Sequence, residues 1–470
     1  MSPRRKGAGA QPENTRLADF RRRYQPALAG LRTSDTAKAA GLAGAMIANN
    51  VVALGSTFVF ARLIGDYGSL AALVGYLLIL TVAGQAMQIA TAREGVLGHL
   101  GVGEDLIATV KSWTRAMIVI MVLSAIVSVV LRQPIADLVG VKHHAWAAAA
   151  GLPAGALFLE LSLLRGVLQG LGDYRSVGIS LVAEQAARLV LGALLAVAGL
   201  DLTGAYLGSL LSYVAMCLYC AFQLRAQIRG TAGTPVAKAA LNLWTHMRRA
   251  WAPIIGLVVI AVLQNIDLIA AKHRFSSHVA SSYAATAVAA KVLIWVAMGA
   301  GFYLVPEVSR RRAEGEETHG VFMRALGIIF VCAVPALLIF AVAAHPLLSI
   351  AFSPKRAHAS SSLLPLGAAF TMLAATYLAV QYLLALKRTW FLLAIGAVAV
   401  AEPILLLGAS RRPAGFAAVV LAVQAVGALI GFALALRAHQ VKSGGTAESS
   451  RSEGTAESDP GNRETAAAQL

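Results

Sequence analysis

Residues 60–80 read FARLIGDYGSLAALVGYLLIL, and the order of residue types in this stretch decides the fold. A basic residue, Arg62, closes one apolar run. The short polar loop Gly65-Asp66 follows, and a second run of small and aliphatic residues begins at once. Apolar runs of 18 or more residues are long enough to cross roughly 30 Å of hydrocarbon. In lipid the backbone has no water to bond, so a segment of this length satisfies itself as a helix. The stretch therefore predicts two antiparallel transmembrane helices joined by a tight turn. Runs of the same kind recur from about Ala37 to Leu436. Strand-length alternation, the mark of an outer-membrane barrel, is absent.

Composition agrees. Of 470 residues, 58% are hydrophobic and 13% charged, against roughly 25% charged in a soluble domain. The spacing predicts helices at 38–62, 69–90, 109–131, 145–170, 177–200 and 203–224. After a polar linker it predicts others at 251–271, 279–306, 320–345, 362–386, 389–409 and 413–437. The expected class is an all-α polytopic membrane protein with about twelve transmembrane helices in two six-helix bundles. The expected divisions are a basic arm (1–36), an N-terminal bundle (37–224), a linker (225–248), a C-terminal bundle (249–438) and a disordered tail (439–470). Residues 15–31 of the arm read as a short interfacial helix, and the tail is rich in Gly, Ser, Glu and Thr.

The net charge is +17. No basic and aromatic residues interleave on a soluble domain, so nucleic-acid binding is not the explanation. The charge is topological. With the N-terminus inside, the inner segments collect most of the Lys and Arg: the arm, Arg93, Lys111, Arg115, Arg175, the linker, Arg310-Arg311-Arg312 and Lys387-Arg388. The bias toward the inner side predicts a multi-pass protein of the inner (plasma) membrane with both termini cytoplasmic.

The two halves echo each other. The stretch at 269–289, IAAKHRFSSHVASSYAATAVA, repeats the basic stop, polar loop and small-residue helix of residues 60–80. Equivalent positions point the same way across the membrane, as in a parallel repeat. Two-half carriers of this kind bind cargo between the halves near the midplane.

Charges within the spans each need a reason, because burying one in hydrocarbon costs about 2.5–3.5 kcal/mol on insertion scales. They are Glu160, Arg165, Glu184, Arg188, Asp267, Lys291 and Glu402. At ~1.5 Å rise per residue, Arg188, Glu160 and Glu184 lie roughly 12–18 Å from the inner face, level enough to interact. Glu184 and Arg188 share a helix face at i, i+4. Arg165 sits lower, within snorkelling reach of the inner interface. The group is either a charged wall on a wet cavity or an internally neutralised cluster. Asp267 and Lys291, on successive helices, fall at similar depth. They read as a helix-locking salt bridge, or as a cation-coupling carboxylate or a cationic cargo contact. Glu402 precedes Pro403, which removes a helix bond; the carboxylate reads as a proton site or as a cap on the kink. Asn49 and Asn50 read as helix–helix glue or as ligands. Substrate binding thus falls to Arg188, Lys291, Arg165, Glu184, Glu160, Asn49 and Asn50, and ion coupling to Asp267 and Glu402. Cys217, Cys220 and Cys332 read as packing residues. There is no metal-type spacing, no P-loop and no cofactor motif, with Na+ or H+ as the expected coupling ion. The outer loops are too short for a catalytic loop, so an enzyme is not expected.

Three stretches carry a resemblance. Residues 60–73 resemble the first hairpin of the multidrug/oligosaccharidyl-lipid/polysaccharide exporter superfamily. Residues 163–195, LLRGVLQGLGDYRSVGISLVAEQAARLVLGALL, resemble a segment of its polysaccharide flippase branch. So do QNIDLIAAKHR (264–274), SSYAATAVAAKVL (281–293) and VPEVSRRR (305–312). The resemblance implies a V-shaped fold, alternating access and a cationic cavity in which Arg188, Lys291 and, less closely, Arg165 meet the cargo. The implied cargo is a polyprenyl-diphosphate-linked oligosaccharide flipped to the outer leaflet for polysaccharide or cell-wall glycan export. The implied partners are membrane lipids and glycosyltransferases or a polymerase of the same pathway. A cation-coupled multidrug or metabolite antiporter of the same superfamily is the alternative, and a non-transporting membrane scaffold is the second.

Overall fold

The computed structural model describes residues 35–101, 103–229 and 242–456. The expected interfacial helix at 15–31 lies outside the described residues. The described residues are helical, joined by short turns. The N-terminal half holds α1 (Asp35–Leu63), α2 (Tyr67–Val96), α3 (Glu104–Val130), α4 (Arg132–Val139), α5 (Ala145–Ala149), α6 (Gly151–Gly170), α7 (Tyr174–Leu195) and α8 (Asp201–Arg229). A short helix, α9 (Leu243–Arg249), follows. The C-terminal half holds α10 (Trp251–Arg274), α11 (Ser277–Ala290), α12 (Val292–Ala313), α13 (His319–Ala351), α14 (Leu363–Ala385), α15 (Phe391–Gly408) and α16 (Pro413–Ala456).

Among the described residues, ten segments are long and apolar enough to cross a membrane. One of them, Tyr174–Gln227, spans 54 residues. It folds back at Gly199 (φ 100°) and Asp201 (φ 42°), so that α7 and α8 lie side by side. The stretch 279–306, expected as one helix, is two, because the chain breaks at Lys291. Residues 145–170 are likewise interrupted at Ala150. The last helix runs to Ala456 rather than ending at 437. No proline stands between Pro413 and Pro460, so backbone bonding continues past the apolar part.

Small residues set the helix spacing. The core of the N-terminal half is α2 against α6. A Cβ on Gly84 would meet Ser162 Oγ at 2.6 Å, and one on Gly166 would meet the Gln88 carbonyl at 2.7 Å. Gly95 and Gly170 face each other with 2.8 Å between one residue's would-be Cβ and the other's Cα. Without a hydrophobic drive between helices in lipid, such close backbone approach is what gives them packing contact. In the C-terminal half α14 is the buried centre, flanked by α12, α13 and α16.

The halves meet where α2 packs on α10 and α11. Their interlock gathers at one end. Lys272 donates to both oxygens of Asp66 at 3.0 and 2.9 Å. Arg356 donates to the carbonyls of Ala61 and Ile64, both at 2.7 Å, where α1 ends. The Gly68 amide donates to Ser281 Oγ at 2.9 Å, and Phe58 meets Phe352 edge-on at 5.1 Å. Arginine on the last carbonyls of a helix suits the negative end of its dipole.

Candidate functional site

Two buried polar clusters lie among the apolar helices, one in each half.

In the N-terminal half, Arg165 on α6 is 1% exposed. Its Nη1 lies 2.8 Å from Glu184 Oε2 on α7. Its Nε donates to Ser180 Oγ and its Nη2 to the Ser180 carbonyl, each at 2.8 Å. Each guanidinium nitrogen has a partner, and the group is sealed from the surface. This corrects the expectation that Arg165 snorkels to the interface: α7 presents Glu184 and Ser180 one turn apart, directly opposite it. Glu184 therefore pairs across helices rather than with Arg188 along its own. Arg188 is half-buried and has no hydrogen bond or ion pair among the described residues. Its charge reaches Tyr67, Tyr206 and Tyr213. Glu160, 8% exposed, accepts from Thr114 Oγ1 at 2.7 Å and has no cation within ion-pair distance among the described residues. Asn49 and Asn50 are half-buried on α1, with Asn49 Nδ2 donating to Asn50 Oδ1 at 3.4 Å.

In the C-terminal half the structure brings together residues that the sequence separates. Lys291, at the break between α11 and α12, lies 3.6 Å from Asp267 Oδ1 and donates to Asn265 Oδ1 at 3.3 Å. It stands 5.4 Å from the centre of the Phe370 ring. Tyr283 donates to Asp267 Oδ2 at 3.3 Å. Glu402 on α15, fully buried, lies within electrostatic reach of both Asp267 and Lys291. Gln424 Nε2 on α16 donates to both Glu402 oxygens, at 3.0 and 3.1 Å, and to the Leu263 carbonyl at 3.0 Å. Asp267 Oδ1 and Gln424 Oε1 are buried acceptors with no hydrogen-bond donor. Lys291 thus pairs with Asp267, while Glu402 is held by the Gln424 amide nearby. Among the described residues no group of three or more His, Cys, Asp or Glu could hold a metal ion.

Tyr283 and Gln424 escape the sequence reading. A glutamine and a tyrosine in apolar helices are common enough that only their neighbours mark them. Cys220 is buried and Cys217 half-buried, but Cys332 is exposed on α13 and does not serve as the packing residue expected of it. It stands on a helix whose apolar residues point largely outward, where a thiol meets lipid as readily as an alanine does.

At the interlocked end, burial pushes the Asp66 carboxyl up, but the Ser69 hydroxyl and the Lys272 ammonium outweigh it and hold it below its ordinary range.

Ten apolar segments among the described residues, a glycine-packed core and buried charged clusters define an all-α polytopic membrane protein. The fold is similar to that of solved transporters of the MOP superfamily. Over 85% of this chain and 90% of the other, it superposes on the lipid II flippase MurJ in an inward closed conformation, with a TM-score of 0.65 and 14% identity. An inward-facing multidrug resistance MATE family transporter of the MOP superfamily matches over 84% of this chain and 95% of its own, with a TM-score of 0.61 and 14% identity. A MOP superfamily transporter from Pyrococcus furiosus, described as having a binding pocket of reverse polarity, matches over 88% and 98%, with a TM-score of 0.56 and 15% identity. At such identities the likeness is one of fold. No family model matches the sequence, and no curated protein does.

Proposed function

We propose that this chain is a cation-coupled exporter working by alternating access, in which uptake of a proton or Na+ at Asp267 and Glu402 drives the movement of cargo held near Arg188. One observation carries the proposal: Asp267 and Glu402 lie buried within electrostatic reach of each other, and Lys291 pairs with Asp267 alone. A buried, uncompensated carboxylate is costly, so the cluster favours taking up one positive charge. The fold shared with multidrug transporters supports this reading. In it the helices make twelve crossings, in two six-helix bundles forming a V with both ends of the chain cytoplasmic in the inner membrane. Asn49, Asn50, Glu160 and Lys291 then contribute polar surface to the cleft, while Arg165 and Glu184 hold its wall.

A second reading is favoured by Arg188. A deep cation without an anionic partner among the described residues suits a diphosphate or an acidic sugar. On that reading the cargo is a polyprenyl-diphosphate-linked oligosaccharide, made by glycosyltransferases and used by a polymerase of the same pathway. The fold shared with a lipid II flippase is consistent with it.

Purified protein in proteoliposomes tests both readings. Flux of a small cationic drug or of a polyprenyl-diphosphate glycan is followed with and without proton and Na+ gradients. The coupled reading expects gradient-dependent flux that Glu402→Gln abolishes. Gradient-independent movement of the glycan alone favours a flippase without ion coupling. A chain that moves neither cargo, and whose pathway tolerates Arg188→Ala and Asp267→Asn, is a scaffold.

A further inference from the structure

The segment joining the halves contains α9, a helix that the linker's polar composition conceals. Its two faces differ sharply. Leu243, His246 and Ala250 are buried, with His246 1% exposed. His246 Nε2 lies 3.0 Å from Thr91 Oγ1 on α2, and its ring stacks on Trp113 of α3 at 5.1 Å and 9°. Asn242 caps the helix by accepting from the Trp244 amide at 2.9 Å. These contacts fix the rotation of α9 about its axis, so the outward face is a built surface. That face carries Trp244, 67% exposed, with Arg248 and Arg249, and Trp251, 48% exposed, opens α10 beside it. Neither arginine has an ion pair or hydrogen bond among the described residues.

The level of α9 follows from what it touches. Thr91 lies five residues before the end of α2 and Trp113 nine residues into α3. At ~1.5 Å per residue these points are roughly 8 and 14 Å inside the helix ends. A helix docked there has its outer face at the boundary between acyl chains and headgroups. Exposed tryptophans favour that boundary, and guanidinium groups match phosphate oxygens with a fork of donors.

We propose that the outer face of α9 binds the headgroups of anionic phospholipids, so that the strap between the two halves is fastened to the bilayer surface on one side and to α2 and α3 on the other. Trp244 and Trp251 seat in the interface, and Arg248 and Arg249 take the phosphates. An interface-seated strap fixes where the N-terminal half stands in the membrane while the C-terminal half moves, whichever cargo is carried.

The experiment uses the full chain in vesicles of phosphatidylcholine, with or without equal phosphatidylglycerol. Brominated forms of each lipid quench nearby tryptophan. The quenching lost on Trp244→Phe reports the lipid beside α9. The expected result is preferential quenching by brominated phosphatidylglycerol. Arg248→Gln with Arg249→Gln should weaken the preference on the order of tenfold, and the double lysine variant should retain much of it. Raising the salt should reduce it as well. Equal quenching by the two lipids, or a preference unchanged in the double glutamine variant, overturns the proposal. So does an absence of lipid quenching at Trp244, which would place that face in water or against protein. A melting temperature equal to the parent's in each variant shows that the fold is intact when the quenching is read.

Discussion

Arg165 and Glu184 form a sealed ion pair, 2.8 Å apart and almost wholly buried, between α6 and α7. One turn beyond Glu184, Arg188 has no such partner among the described residues. The two arginines stand on successive helices, yet one is paired and sealed while the other is half-buried with no ion pair among the described residues.

That difference predicts opposite mutant behaviour. Glu184→Ala leaves Arg165 buried and uncompensated, a change that costs about 3–5 kcal/mol in buried pairs. The purified protein should melt markedly lower. Arg188→Ala should leave the melting temperature close to the parent's while lowering transport. Equal flux in Arg188→Ala and parent would count against any cargo role for Arg188.

The cluster in the C-terminal half predicts how coupling fails. Glu402→Gln keeps an oxygen and an amide beside Gln424 but removes the charge, so gradient-driven flux should fall and any counterflow exchange should persist. Asp267→Asn should do more damage, because it also strands the Lys291 ammonium that it neutralises. Counterflow measured alongside gradient-driven uptake separates the two effects.

The close crossing of α2 and α6 predicts a packing defect. Gly166→Leu drives a side chain into the Gln88 carbonyl and Thr91. Overpacking of this kind costs about 1–3 kcal/mol, and Thr91 also holds His246. Thermal unfolding should drop, and protease access to the linker should rise.

Docking of α9 should depend on pH. Burial holds His246 below its usual pKa, offset in part by Glu94 and reinforced by Arg249. The folded ring therefore binds its proton less readily than the free chain, whose value is about 6.5. The docking free energy is complete above that value and is lost as pH falls toward the folded one. The protection of residues 243–249 against hydrogen exchange, relative to the intrinsic rate at each pH, should fall under acid. That protection in His246→Gln should show no such dependence.

The interlocked end predicts a covalent lock. The Gly68 amide and Ser281 Oγ are in direct contact, so cysteines at 68 and 281 should cross-link under oxidation. Cross-linking should stop transport, and reduction should restore it. Undiminished flux in the cross-linked protein would mean that this end need not open.

Much of this molecule is written in local residue order. Apolar runs of membrane length, broken at Asp66 or Asp173, determine helices and their turns, because hydrocarbon leaves the backbone no other partner. Charges at depth are also visible one by one, since each is an exception to a strong rule. Their partners are not visible. Whether Glu184 turns to Arg188 on its own helix or to Arg165 across the bundle depends on the rotation of α6 against α7, which the packing of α6 on α2 and of α7 on α1 and α8 decides. The meeting of Glu402 with Asp267, more than a hundred residues away, and the seating of His246 between Thr91 and Trp113 are likewise products of packing. Helix formation needs only neighbours in the chain, whereas pairing a buried charge needs neighbours in space, and only the tertiary structure supplies those.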